Sequence, residues 1–155
     1  MQAKNFSIRE FAENHPAGLL GRKITFKVSE LMLKGEEIPL CKPNDQLIDC
    51  LHQLSIKRCG CLIVTDEKKA LKGIFTDGDL RRSIQSKGPE VLKMTLSQLM
   101  TQKAKSISPN VLAVDAAKVM EEDPSRLITV LPVLDKDQVV GIIRMHDILQ
   151  KELST

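Results

Sequence analysis

The sequence predicts an α/β fold made of two tandem βαββα repeats, packed against each other as a pseudo-two-fold pair. Two observations predict it. The chain repeats itself at a nearly fixed offset, and each copy runs in the order strand, helix, strand, strand, helix. Ser29-Glu30-Leu31-Met32 returns as Ser97-Gln98-Leu99-Met100, and Gly73-Ile74-Phe75 as Gly141-Ile142-Ile143, both 68 residues later. Pro43-Asn44 returns as Pro109-Asn110 after 66, and Val64-Thr65-Asp66 as Val133-Leu134-Asp135 after 69. Slips of this size are loop insertions and deletions. The copies fall at 28–84 and 96–153, with a linker at 85–95 carrying the turn signal Lys87-Gly88-Pro89.

Each element follows from local pattern. An extended piece comes first, Glu37–Lys42 in one copy and Ala104–Ser108 in the other. A helix is expected after each Pro-Asn, with Asn44 or Asp45 capping exposed backbone N–H groups. Leu47, Ile48, Leu51 and Leu54 lie at helical spacing, matched by Val114, Ala117 and Met120. Two β-rich runs follow in each copy, Cys61–Thr65 with Leu71–Thr76 and Ile128–Leu134 with Val139–Ile143. Polar turns, Asp66-Glu67-Lys68-Lys69 and Asp135-Lys136-Asp137, separate them. A second helix closes each copy, at Asp77–Ser86 and His146–Leu153. Neither copy alone carries a large core, so their apolar faces are expected to pack together.

Composition narrows the function. The 155 residues are 42% hydrophobic and 28% charged, as in an ordinary globular protein, and the net charge of +3 is small and scattered. With no Trp, no Tyr and four Phe, the chain has little on which to stack nucleic-acid bases. No apolar run approaches a membrane span and no signal-peptide pattern opens the chain, which points to the cytoplasm. Cys41, Cys50, Cys59 and Cys61 crowd into one stretch. Structural zinc sites space their ligands more widely than Cys59-Gly60-Cys61, so buried reduced thiols and no metal are expected.

The βαββα repeat, the Val-x-Asp turn and the segment Gly73-Ile74-Phe75-Thr76-Asp77-Gly78-Asp79-Leu80-Arg81-Arg82 together resemble the CBS domain family, and the tandem resembles a Bateman module over residues 28–153. The opening residues Phe6 to Lys23, containing His15-Pro16-Ala17-Gly18, resemble the end of the sugar-isomerase (SIS) domain of bacterial arabinose-5-phosphate isomerases, which join an SIS domain to a CBS pair. The family pattern has Gly-Gly after His-Pro where this chain has Ala17-Gly18. Residues 1–27 are therefore expected to be the end of an SIS domain and a linker. The resemblance implies a parent that interconverts ribulose 5-phosphate and arabinose 5-phosphate, feeding the lipopolysaccharide sugar Kdo. His15 matches a histidine implicated in that catalysis, but without its domain no catalysis is expected from this chain.

The resemblance also implies ligand sites. Asp79 would hold ribose hydroxyls and Thr76 would reach a phosphate, since a carboxylate can accept from two hydroxyls and a helix N-terminus favours an anion. The competing reading is a capping box between the same two residues. Arg82 or Arg81 could reach the same phosphate, although such pairs, like Lys68-Lys69, usually make a solvated face. The second copy keeps Asp147 but has Arg144 in place of Thr76, exchanging a hydroxyl for a phosphate-matching fork beside His146. The plainer alternative is a surface Arg and a solvated His. His52 reads as a surface residue. The expected ligand is an adenine nucleotide or CMP-Kdo, with no required cofactor. The expected partners are a second copy of the chain and the parent's SIS domain, not nucleic acid or membrane. The rival function is a ligand-free dimerisation module.

Overall fold

The computed structural model describes residues 25–153. A helical turn α1 (Val28–Leu31) and a 3-10 turn (Gly35–Glu37) precede β1 (Leu40–Cys41), α2 (Leu47–Lys57), β2 (Cys61–Thr65), β3 (Leu71–Thr76) and α3 (Asp77–Lys87). A 3-10 segment (Gly88–Lys93) leads to α4 (Leu96–Leu99), α5 (Ala113–Met120), β4 (Val130–Asp135), β5 (Gln138–Arg144) and α6 (Met145–Leu153). The α/β class expected from the repeat is present, and the order strand, helix, strand, strand, helix is complete in the first copy.

Each copy is built around one antiparallel hairpin. β2 is buried at all five positions, as suits a β-branched run covered on both faces. The β2–β3 turn is closed by Asp66, whose carboxylate accepts from the backbone N–H groups of Lys68 (2.8 Å) and Ala70 (2.9 Å). The β4–β5 turn instead places both Lys136 and Asp137 at positive φ, the geometry of a two-residue hairpin loop. Both hairpins slip register at equivalent places, Val64/Thr65 and Val133/Leu134.

Three expectations need correction. The first extended piece is a strand only over Leu40–Cys41, parallel to β2, because Gly35–Glu37 coils into a 3-10 turn and Pro39 has no N–H to give a ladder. In the second copy the equivalent piece makes a single bridge, Ile107 to Val133, so that sheet has two strands rather than three. Neither Asn44 nor Asp45 caps α2. Asp45 Oδ2 accepts from Lys42 N (2.9 Å), while Leu47 N is satisfied by the Met94 carbonyl across the molecule (2.9 Å), so no side-chain cap is needed. On the expected apolar face of α2, Leu47 is buried with Cys50, whereas Ile48, one residue off the stripe, is 50% exposed.

The two copies exchange their opening turns. Leu33 bridges Ile142 and Thr101 bridges Ile74; Lys27 bridges Leu112 and Thr95 bridges Gln46. These pairs interchange under the 66–68-residue repeat offset, which makes the bridges a direct record of the pseudo-two-fold. Val28 accordingly lies in a core with Ala113, Met120, Leu131 and Ile143, and Leu96 in one with Leu47, Leu62 and Phe75. Val91, in the segment read as a linker, is fully buried in the latter. A third cluster joins the hairpins through Cys61, Ile63, Ile74, Val130, Val139 and Ile142. The crossing requires glycine: a Cβ on Gly73 would lie 2.6 Å from Met100 Sδ, and one on Gly141 would lie 2.5 Å from Met32 Sδ.

Candidate functional site

Thr76 ends β3 and is the N-cap of α3. Its Oγ1 accepts from Asp79 N (3.1 Å), and Asp79 Oδ2 accepts from Thr76 N (2.9 Å), a complete capping box. The other carboxylate oxygen, Asp79 Oδ1, accepts from Arg82 (2.8 Å). Arg82 can fold back over this turn because Gly78 has no side chain; a Cβ there would stand 3.2 Å from the guanidinium. Thr76, Asp79 and Arg82 are therefore brought into one network at a helix N-terminus.

The second copy reaches a different solution from equivalent positions. Arg144, at the end of β5, donates from Nε to Asp147 Oδ2 (2.8 Å) and from its terminal nitrogen to Oδ1 (2.6 Å). This two-pronged pair is mostly withdrawn from water, and the carboxylate holds the guanidinium more firmly charged than usual. The remaining nitrogen, NH1, donates to the Arg58 carbonyl of the first copy (3.3 Å). Arg58 presents that carbonyl from a left-handed conformation (φ 56°) just after α2.

Between the copies lies an open cleft of about 570 Å³. The first copy supplies Leu54, Ser55, Arg58, Cys59, Gly60 and Asp77, and the second supplies Thr129, Arg144 and His146. Its volume suits a small molecule, and it joins an apolar wall to a few polar groups. Of the residues expected at a ligand site, Arg144 and His146 line it, while Thr76, Asp79, Arg82 and Asp147 do not. Asp77 N donates to the Gly60 carbonyl (3.0 Å), which ties the start of α3 to the cleft wall. Gly60 stands at φ 71° and was met in the sequence only within Cys59-Gly60-Cys61; Arg58, Ser55 and Thr129 carried no local signal.

The other singled-out residues fall elsewhere. His52, Arg81, Lys68 and Lys69 are exposed, and His15 lies outside the described residues. All four cysteines are buried free thiols; burial pushes Cys61 up to about 12. Among the described residues no helix is long and apolar enough to cross a membrane.

Comparison with known proteins identifies the family and the fold. The chain is 41% identical over 150 residues to the arabinose 5-phosphate isomerase KdsD of Yersinia pestis, covering 97% of this chain and 44% of that protein. It is 42% identical over 154 residues to the enzyme of the same name from Francisella tularensis, covering 99% and 46%. The chain thus spans less than half the length of these curated relatives. Among solved structures, CBSX2 in complex with AMP shares the fold at a TM-score of 0.67 and 24% identity, covering 83% of this chain and 96% of that one. The CBS domain pair of MJ0100, in complex with 5'-methylthioadenosine and S-adenosyl-L-methionine, does so at 0.70 and 22%, covering 81% and 94%. The CBS domain family profile matches residues 28–86 and again 96–154, so the chain belongs to the CBS domain family and carries two such domains in tandem.

Proposed function

We propose that this chain is the ligand-sensing CBS pair of a D-arabinose 5-phosphate isomerase. In this reading the parent interconverts ribulose 5-phosphate and arabinose 5-phosphate for Kdo and lipopolysaccharide synthesis. The pair reports the level of a nucleotide or nucleotide-sugar to the SIS domain. The observation that carries the reading is the cleft between the copies, with the Arg144 guanidinium and His146 on one wall and Arg58 on the other. Arginine residues lining a partly apolar cleft suit a ligand with a flat ring and an anionic end, which would compete with Asp147 for the Arg144 guanidinium. Adenosine compounds in CBS pairs of similar fold supply one set of candidates; CMP-Kdo is the other, as the activated end product of the pathway that this reading gives the parent.

Thermal unfolding in the presence of AMP, S-adenosylmethionine or CMP-Kdo tests this. A ligand at about 100 times its Kd stabilises the folded state by about 2.7 kcal/mol, which raises Tm by about 5–10 °C for a chain of this size. No shift with any of the three would remove the sensing role.

One observation favours the second reading, a dimerisation module. Ile48 (50% exposed), Ile56 (67%) and Ile84 (43%) leave apolar surface on α2 and α3 of one copy. A homodimer that joins through these helices would cover it. Light scattering that returns a monomer at tens of micromolar would count against that reading.

A further inference from the structure

We propose that Cys41, Asp45 and Cys50 form a binding site for a thiophilic divalent cation, zinc by the chemistry of the donors. Two thiols and a carboxylate oxygen, one from each residue, all lie within 4.8 Å of one another. Cys50 Sγ is 4.0 Å from Asp45 Oδ2. A tetrahedral zinc with sulfur at about 2.3 Å and oxygen at about 2.0 Å spaces its ligand atoms roughly 3.5–3.8 Å apart, so small side-chain movements close the set. The three residues come from the end of β1, the following turn and the first turn of α2. Cys41 and Cys50 are buried, at 4% and 3% exposure, and Asp45 is half-buried. Three protein donors leave a fourth position for water.

The surrounding groups fit ligands held in place. Gln53 Nε2 donates to the Leu40 carbonyl (3.0 Å) and lies 3.6 Å from Cys41 Sγ, where it can donate to a thiolate. Lys42 N donates to Asp45 Oδ2 (2.9 Å) and fixes the carboxylate over the thiols.

The internal duplication supplies the control. Cys41 pairs with Val64 as Ile107 pairs with Val133. The Asp45 carbonyl accepts from Leu96 N as the Val111 carbonyl accepts from Val28 N. The same offset of 66 takes Cys50 to Ala116. The second copy therefore builds this corner from Ile107, Val111 and Ala116, three hydrocarbon side chains, and the fold needs nothing more there. In the first copy all three positions change together to groups that can ligate zinc. The site shares no residue with the cleft between the copies. It also differs from Cys59-Gly60-Cys61, the pair to which the sequence drew attention.

The test uses the whole chain, reduced and freed of metal, titrated with Co²⁺ as a spectroscopic probe. The expected result is a one-to-one complex showing thiolate-to-cobalt charge transfer and the visible bands of a tetrahedral ion, displaced by Zn²⁺. The variant C41V/C50A takes on the apolar character of the second copy; it should fold and lose the spectrum. Asp45→Val, which keeps both thiols, should weaken Co²⁺ binding by about tenfold or more. A wild-type chain that shows no thiolate charge transfer, or a spectrum that survives in C41V/C50A, overturns the proposal.

Discussion

Leu33 and Ile142 exchange both hydrogen bonds of an antiparallel pair, Leu33 N to the Ile142 carbonyl at 2.8 Å and Ile142 N to the Leu33 carbonyl at 3.0 Å, although they belong to different copies of the repeat. Thr101 and Ile74 repeat the exchange at 2.9 and 3.0 Å. Each copy is therefore completed by the opening segment of the other, and neither half has its full set of backbone partners alone.

This crossing makes Gly141 sensitive. In Gly141→Ala the new methyl group would stand 2.7 Å from the Leu33 carbonyl oxygen as well as against Met32. Met32 can move but the carbonyl is held in the bridge, so the substitution should destabilise the chain by about 1–3 kcal/mol. Urea unfolding measures it. Met32→Ala in the same background should recover only part of the loss; full recovery would show that the backbone contact is unimportant.

Asp79 serves a structural role apart from any ligand. Asp79→Ala removes the return half of the capping box and the partner of Arg82. It should cost about 1 kcal/mol in unfolding free energy, and Thr76→Val a similar amount. Loss of several kcal/mol on equilibrium unfolding would mean that Asp79 supports more than the start of α3.

Acid should loosen the β2–β3 turn. Backbone N–H donation from Ala70, then from Lys68, and the nearby Lys72 ammonium hold the Asp66 carboxyl below its ordinary value of 3.8. A group depressed in the folded state contributes stability that is fully present above the unfolded value and is lost as pH falls through the folded one. The Asp66 contribution should thus be constant from neutral pH down to about 4–5 and fade below it. Tm measured from pH 7 to pH 3 should fall less steeply at the acid end for Asp66→Asn than for the native chain. Parallel curves would contradict the assignment.

Much of this was legible in the sequence because it is local. The β-branched runs fix the hairpins, Asp66 and the Asp135-Lys136-Asp137 turn mark their ends, and Thr76 with Asp79 spells a capping box three residues apart. What was hidden depends on distant partners. Ile107 makes one bridge rather than a strand, and the first N–H of α2 is met by the carbonyl of Met94, far along the chain, rather than by a side-chain cap. The pairing of Arg144 with Asp147 obeys helical spacing, but its reach to the Arg58 carbonyl, 86 residues away, exists only in the folded molecule. The cleft was missed for the same reason, since its two walls come from different copies.

The most direct test of the central claim is calorimetric titration of AMP and CMP-Kdo into the native chain and into Arg144→Ala, Asp79→Ala and Asp147→Ala. Arg144 lines the cleft, while Asp79 and Asp147 are the carboxylates that the proposed reading would place on ribose. The account predicts binding of at least one ligand to the native chain, weakened by about tenfold or more in Arg144→Ala, in line with loss of a charge-assisted hydrogen bond. It also predicts loss of binding in the aspartate variant of the occupied site. Absence of binding to the native chain, or affinities unchanged in all three variants, would contradict it.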